Sequence, residues 1–202
     1  MQKAPENDIL ERLHESLASL ASAFSIVTGV HCRVCIKEVF CPDIEVEPKK
    51  RALRVRTVVR SLSTEDEATE TESDWVDKNT DFEMIFTQPK KATCNCFFSN
   101  NLSTVKNYQN SHWTQEVWDK NDFPYISAIV WPIRKLLTAP VDGTLHQEHD
   151  CLGFLCVDSK ARNAFRKRFD FSVGAGYADT LYALLKTYRD QRPATAGELE
   201  KK

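Results

Sequence analysis

The chain has 202 residues, a formal net charge of -2, 42% hydrophobic residues and 28% charged residues. That size supports one domain with a self-sufficient core, the near-neutral balance gives no bulk attraction to nucleic acid, and no apolar run reaches the roughly 20 residues of a membrane span. The seven cysteines are odd in number and scattered, which argues against a disulfide framework and for a reducing, cytoplasmic compartment. The polar, acidic first residues lack the charged-then-apolar order of a secretory leader.

Asp8 and Glu11 form a D-x-x-E start signal, in which the first side chain caps a helix and the second reaches back. Leu10, Leu13, Leu17, Leu20, Phe24 and Val27 follow at three- and four-residue steps, one apolar stripe on a helix ending near residue 28, with Gly29 as its stop. The stripe suits packing on the protein's own sheet, and its heptad-like spacing equally suits a dimer seam. Residues 31–40 alternate Cys32, Val34 and Ile36 with Arg33 and Lys37. Residues 53–62 alternate Leu53, Val55 and Val59 with Arg54, Arg56 and Arg60. Both read as strands with one wet face. Residues 63–78 are acidic and rich in Ser and Thr, which predicts an exposed, mobile insertion.

Thr80-Asp81-Phe82-Glu83 is a second capping box, opening a short helix with Phe82, Ile85 and Phe86 inward. Residues 93–98 suit a third strand. The stretch 99–124 is long and polar, the length at which a loop is usually functional or mobile, with a short helix expected around Val105 to Gln109. Residues 125–135 and 151–159 read as two closing strands, with Pro132 near an end or an edge. The last helix starts near Asp170, with Tyr177, Leu181, Leu184, Leu185 and Tyr188 on one stripe; Gly174 and Gly176 weaken it but allow close packing. The tail 191–202, with Pro193, is expected to be disordered. Strands without βαβ alternation, backed by helices, make an α+β domain over residues 8–190.

That order, and particular residues, resemble the GAF domain. Tyr125 to Arg134 and Leu152 to Ser159 are similar to that family's last two core strands, where a "PI" step ends one strand and a "GxLxxxS/D" pattern forms the next. Phe169-Asp170 with Tyr177-Ala178-Asp179 resembles its closing helix. Phe98 to Leu102, with Tyr108 and Asn110, resembles the segment that wraps the ligand pocket in bacterial members. The resemblance implies an antiparallel sheet of about five to six strands flanked by N- and C-terminal helices. It also implies a non-catalytic sensor that binds a small molecule under residues 94–124 and signals through its terminal helices. The partner would be a second copy or a separate output protein, with no nucleic acid and no membrane. Bilin-binding members attach chromophore through Cys followed by His; here Ser111-His112 stands without the Cys, so no covalent bilin is expected, and cyclic-nucleotide members' Asn-Lys-x-x-Asp signature has no clean match.

The ligand-binding candidates are Asn100, Asn101, Tyr108, Asn110, Trp113, Tyr125 and Ser127: amides that orient a ligand and flat aromatic walls that bury it. The same asparagines would serve equally as turn formers. Cys32 and Cys35 have C-x-x-C spacing, but three residues apart on a strand they face opposite ways, so no metal is expected there. Cys94 and Cys96 share a face, and the resemblance extends to enzymes that reduce free methionine sulfoxide through cysteines near this region. A thiol-dependent reductase using Cys94 or Cys96 is therefore an alternative, although that group's acidic, His-containing strand motif is missing. His146, His149 and Cys151 have donor types that suit zinc, with a solvated polar loop as the default reading. The basic run Lys160 to Arg168 reads as a solvated surface. No catalytic residue, metal or cofactor is assigned, and a ligand-free interaction or dimerisation module is the remaining alternative.

Overall fold

The computed structural model describes residues 5–40, 53–61, 73–87, 96–120, 122–135 and 151–192. A long helix α1 (Pro5–Thr28) leads into strands β1 (Arg33–Phe40), β2 (Arg54–Arg60) and β3 (Ser73–Trp75). Helix α2 (Thr80–Thr87), strand β4 (Phe97–Ser99) and helix α3 (Gln115–Lys120) follow. Strands β5 (Ser127–Arg134) and β6 (Cys151–Ser159) then precede the closing helix α4 (Asp170–Gln191). The six strands pair antiparallel in the order β3-β2-β1-β6-β5-β4. The chain is thus α+β, one antiparallel sheet with helices at both ends of the sequence.

The strand period of two divides the apolar residues between two cores. On one face Val34, Ile36, Ile129, Trp131, Ile133, Leu155 and Val157 meet α1 and α4. Leu13, Leu17, Leu20 and Phe24 of the α1 stripe are buried there, in the chain's own core, whereas Val27 is exposed. Leu181, Leu185 and Tyr188 do the same from α4, and Leu184 of the expected stripe turns outward. Each such side chain contributes about 1.5–3 kcal/mol on burial. Gly29, at φ +72°, ends α1 in the left-handed region that favours glycine.

On the other face Cys35, Val39, Val55, Phe97, Ala128, Val130, Phe154 and Cys156 lie under α2 and the 102–125 segment. A bulge decides which β2 residues reach which face. Ile36 pairs with Val59, but Lys37 pairs with Thr57, so Val58 is extra. Val55 and Val59, expected on one face, therefore enter different cores. Pro132 sits within β5, and among the described residues β4 pairs with Ala128, Ile129 and Val130 and not with the proline.

Three expectations change. Residues 73–78, assigned to the exposed insertion, include β3 and a buried Val76, because Trp75 pairs with Arg54 and the Arg54 guanidinium covers its ring at 4.7 Å. The rest of that insertion, 63–72, lies outside the described residues. The short helix of the 99–124 segment is α3, not Val105 to Gln109; the latter contains a turn with Asn107 at φ +56°. Arg192, assigned to the tail, is anchored by Nη1 to Oε1 of the buried Glu38 at 2.9 Å; the tail beyond it lies outside the described residues.

Candidate functional site

A cavity of about 510 Å³ lies between the second face of the sheet and the 108–125 segment. Its floor is written by strand register. Val130, Cys156, Cys35 and Arg60 form one row across β5, β6, β1 and β2, and Ala128, Asp158 and Arg33 form the next. Lys37 stands between Phe154 and Thr57 in a third row. Arg33, Lys37 and Arg60 are polar positions that alternation set opposite the apolar face. They face a cavity because the chain returns over them.

The cover is a packed aromatic cluster. Trp113 is at its centre, with ring centroids at 5.1 Å from Tyr108, 5.6 Å from Trp118, 5.0 Å from Phe123 and 5.3 Å from Tyr125. Hydrogen bonds from the start of α2 hold it down. Thr80 N donates to Gln109 O at 3.0 Å, Gln109 N to Thr80 Oγ1 at 2.8 Å, and Ser111 N to Asn79 Oδ1 at 3.1 Å. The Thr80 hydroxyl is thus used on the cover, not on a helix cap. At the rim His112 Nε2 meets Asp74 Oδ2 at 2.7 Å, and Ser111 Oγ donates to Asp74 Oδ1 at 2.7 Å.

Charge inside the cavity is distributed unevenly. Burial opposes ionisation of Asp74, but the bonds from His112 and Ser111 outweigh it and hold this carboxyl below its usual range. Burial pushes the Asp81 carboxyl up to about 6, with the Phe82 N–H and Lys37 only partly offsetting it. Burial likewise leaves Asp158 above its usual range, despite the Arg33 guanidinium at 2.7 Å. Lys37 Nζ and Arg60 Nη2 both donate to the Thr57 hydroxyl, each at 3.2 Å. The arrangement can accept a small polar molecule: carboxyls toward α2 and the rim, cations toward β1 and β2, aromatic rings above.

The structure separates the seven predicted ligand residues. Asn110, Trp113 and Tyr125 line the cavity, and Asn110 Nδ2 donates to Tyr125 Oη at 2.8 Å. Tyr108 is buried behind Trp113, its hydroxyl close to those two groups but without a well-formed hydrogen bond. The other three lie elsewhere. Asn100 clamps Phe165, donating to its carbonyl at 2.8 Å and accepting from its N–H at 2.9 Å. Asn101 Oδ1 accepts from Ser103 in a turn, and Ser127 Oγ donates to the carbonyls of Asn100 and Ala161 from the opposite face. Short polar side chains form turns and clamps as readily as sites, which is why sequence alone grouped them.

Sequence reasoning missed Cys35, Lys37, Asp74, Asp81 and Cys156. The signal was available in the strand alternation, which places Cys35 with Lys37, and Cys156 with Asp158, on single faces. Among the alternatives, Cys96 packs against the helix-side core rather than entering the cavity, and Cys94, His146 and His149 lie outside the described residues. Cys32 and Cys35 are both buried, on opposite faces. Within the basic run Phe165 is a core residue and its flanking cations are exposed. Among the described residues no helix is long and apolar enough to cross a membrane.

No family model matches the sequence, and no curated protein matches it. Solved structures do. A type II free methionine-R-sulfoxide reductase from Thermoplasma acidophilum superposes with a TM-score of 0.52 at 13% identity, over 89% of this chain and 96% of that one. The GAF domain of an Acinetobacter phosphoenolpyruvate-protein phosphotransferase gives 0.51 at 12% identity, over 94% and 98%. The GAF region of a membrane protein from Geobacter sulfurreducens gives 0.53 at 14%, over 89% and 94%. These superpositions extend over nearly the whole length of each chain, and the chain therefore has a GAF-like fold.

Proposed function

We propose that the chain is a small-molecule-binding sensor domain whose ligand occupies the cavity under Trp113. The observation that carries this reading is the convergence of Lys37, Asp81, Asn110, His112 and Tyr125, from one strand, a helix and the cover, on one space of about 510 Å³. Burying a carboxyl at Asp81 costs stability, and such groups concentrate where a ligand is met. The ligand is a small polar molecule with a hydrogen-bond donor or cation toward Asp81 and an acceptor or anion toward Lys37 and Arg60. It is bound and released unchanged. Neighbours of this fold include both GAF domains and a free methionine-R-sulfoxide reductase; Cys96 lies on the wrong face to serve the latter chemistry in this cavity.

Signalling follows if ligand binds one arrangement of the cover more tightly than another, since only differential affinity shifts an equilibrium. The cover is tied to α2, and the sheet beneath it to α1 and α4, so the terminal helices are placed to report the change. Thermal-shift screening with free amino acids, nucleotides, cyclic nucleotides and small carboxylates tests the reading. A ligand at 100 times its Kd adds about 2.7 kcal/mol, roughly 5–10 °C for a domain of this size. The shift is expected to vanish in Asp81→Asn or Lys37→Ala and to survive in Asn101→Ala. A shift that Asn101→Ala abolishes and Asp81→Asn leaves intact would overturn the assignment, and failure of every class would leave the chain without a ligand role.

A further inference from the structure

Cys35 and Cys156 are directly opposite each other in the antiparallel β1–β6 ladder and project from the same face into the cavity. Directly paired residues in such a ladder have Cα atoms about 4.5 or 5.5 Å apart, depending on the pair type. Both values fall inside the roughly 4.4–6.8 Å range that a disulfide spans. Both are free thiols on the same cavity floor. We propose that Cys35 and Cys156 form a redox-active dithiol on the cavity floor, which a small hydroperoxide entering the cavity converts to a disulfide.

The surroundings distinguish this pair from the other described cysteines. The neighbouring Cys156 thiol, Lys37 and Arg60 pull the Cys35 thiol below its ordinary value against the effect of burial, while the Cys35 thiol and burial push Cys156 up. Cys35 is paired with Arg60 across the β1–β2 ladder and shares its face with Lys37, whereas Cys156 is paired with Val130 on its other side; the cations beside Cys35 make it the nucleophile and Cys156 the resolving thiol. Cys151, by contrast, is pushed up to about 12 by burial, with its Sγ on the Gly153 carbonyl. Cys32 is raised by burial despite Thr28. Cys96 is half-buried on the helix side of the sheet. None of these three lines the cavity.

The chemistry balances with hydrogen peroxide as the sole oxidant; an organic hydroperoxide would give one alcohol and one water. Deprotonated Cys35 attacks one peroxide oxygen; the S–O bond forms, the O–O bond breaks, and the leaving hydroxide takes up the proton Cys35 gave, departing as water. Cys156 then attacks the sulfenyl sulfur. The S–S bond forms, the S–O bond breaks, and the second hydroxide leaves as water with the Cys156 proton. Two thiols lose two electrons in total and one peroxide becomes two waters. A peroxide is not much larger than water, whose share of liquid volume is about 30 Å³, so the cavity admits it without opening its cover.

The proposal is independent of any bound ligand and is tested on the full chain. The reduced protein is treated with one equivalent of hydrogen peroxide, free thiols are counted, and cysteine-containing peptides are mapped without reduction. The expected result is loss of two thiols and one cross-linked species joining the Cys35 and Cys156 peptides, reversed by dithiothreitol. Cys156→Ser is expected to stop at a sulfenic acid on Cys35, trapped by dimedone, and Cys35→Ser to leave Cys156 reduced. Cys32→Ser and Cys96→Ser are expected to leave the cross-link unchanged. A wild-type map in which Cys35 and Cys156 stay reduced, or in which either pairs with another cysteine instead, overturns the proposal without requiring any variant to fold. Because no ligand is used, this result is read separately from the ligand screen.

Discussion

The Trp131 indole lies flat against the backbone of α4 at Gly174, where an added Cβ would stand 2.2 Å from ring atom Cζ2. The Trp131 ring N–H donates to Phe171 O at 3.1 Å one turn earlier. Glycine here is a packing requirement that overrides helix propensity. Gly174→Ala gains about 1 kcal/mol of propensity but forces the largest fully buried side chain to move, at about 1–3 kcal/mol or more. The net expectation is a destabilised protein by urea denaturation, with the Trp131 fluorescence altered in the folded baseline. Gly176, with open space around it, is the control: Gly176→Ala is expected to stabilise.

Asp81 sets a pH dependence whose sign is unusual for an aspartate. Its carboxyl titrates at about 6 in the folded chain, against about 3.9 when unfolded. The folded state therefore holds a proton that the unfolded state has released. Stability is fully present below about pH 4, falls as the pH rises to about 6, and is level above; the drop is about 3 kcal/mol. Asp81→Asn keeps an acceptor for Phe82 N–H and removes the titration. Urea midpoints at pH 4 and pH 7.5 should differ less in this variant than in the parent, with the gain at pH 7.5. A variant that is more stable yet loses ligand would show that the carboxyl is retained for binding.

Asn79 fastens the cover. It is buried, and its amide bonds both Trp75 O at 2.9 Å and Ser111, whose N–H it also accepts. Asn79→Ala leaves those partners unsatisfied and should cost about 1–3 kcal/mol. Hydrogen exchange should report the loss locally, at residues 109–113, with helices α1 and α4 still protected. Uniform loss of protection across the chain would mean the cover does not open as a separate unit.

Two asparagines separate scaffold from site. Asn100→Ala breaks the clamp on Phe165 and should lower the melting temperature by several degrees without changing ligand affinity. Asn110→Ala frees Tyr125 Oη and the turn at His112 and should weaken affinity severalfold. Isothermal titration of both variants with one ligand distinguishes the two roles.

Much of the fold was legible because periodicity is a local property. The Leu13 to Phe24 stripe, the alternation of residues 31–40, and the apolar runs ending at Arg134 and Ser159 each specify an element without reference to the rest of the chain. Residues that are polar for local reasons and residues that are polar for a site look alike in one dimension. Asn100 and Asn110 differ only in what folds back against them.

The sequence by itself determined an α+β chain with helices at both ends, the positions of β1, β2, β5 and β6, and the presence of a polar covering segment before β5. Only the tertiary structure decided that the polar faces of β1 and β6 form a cavity floor rather than a solvated surface. The same holds for the bulge at Val58 that sends Val55 and Val59 into different cores, and for the register that sets Cys35 against Cys156. These depend on pairings between residues as many as 125 positions apart, such as Arg33 with Asp158. A strand's own period fixes which residues share a face, but not which neighbour lies beside it or what covers it.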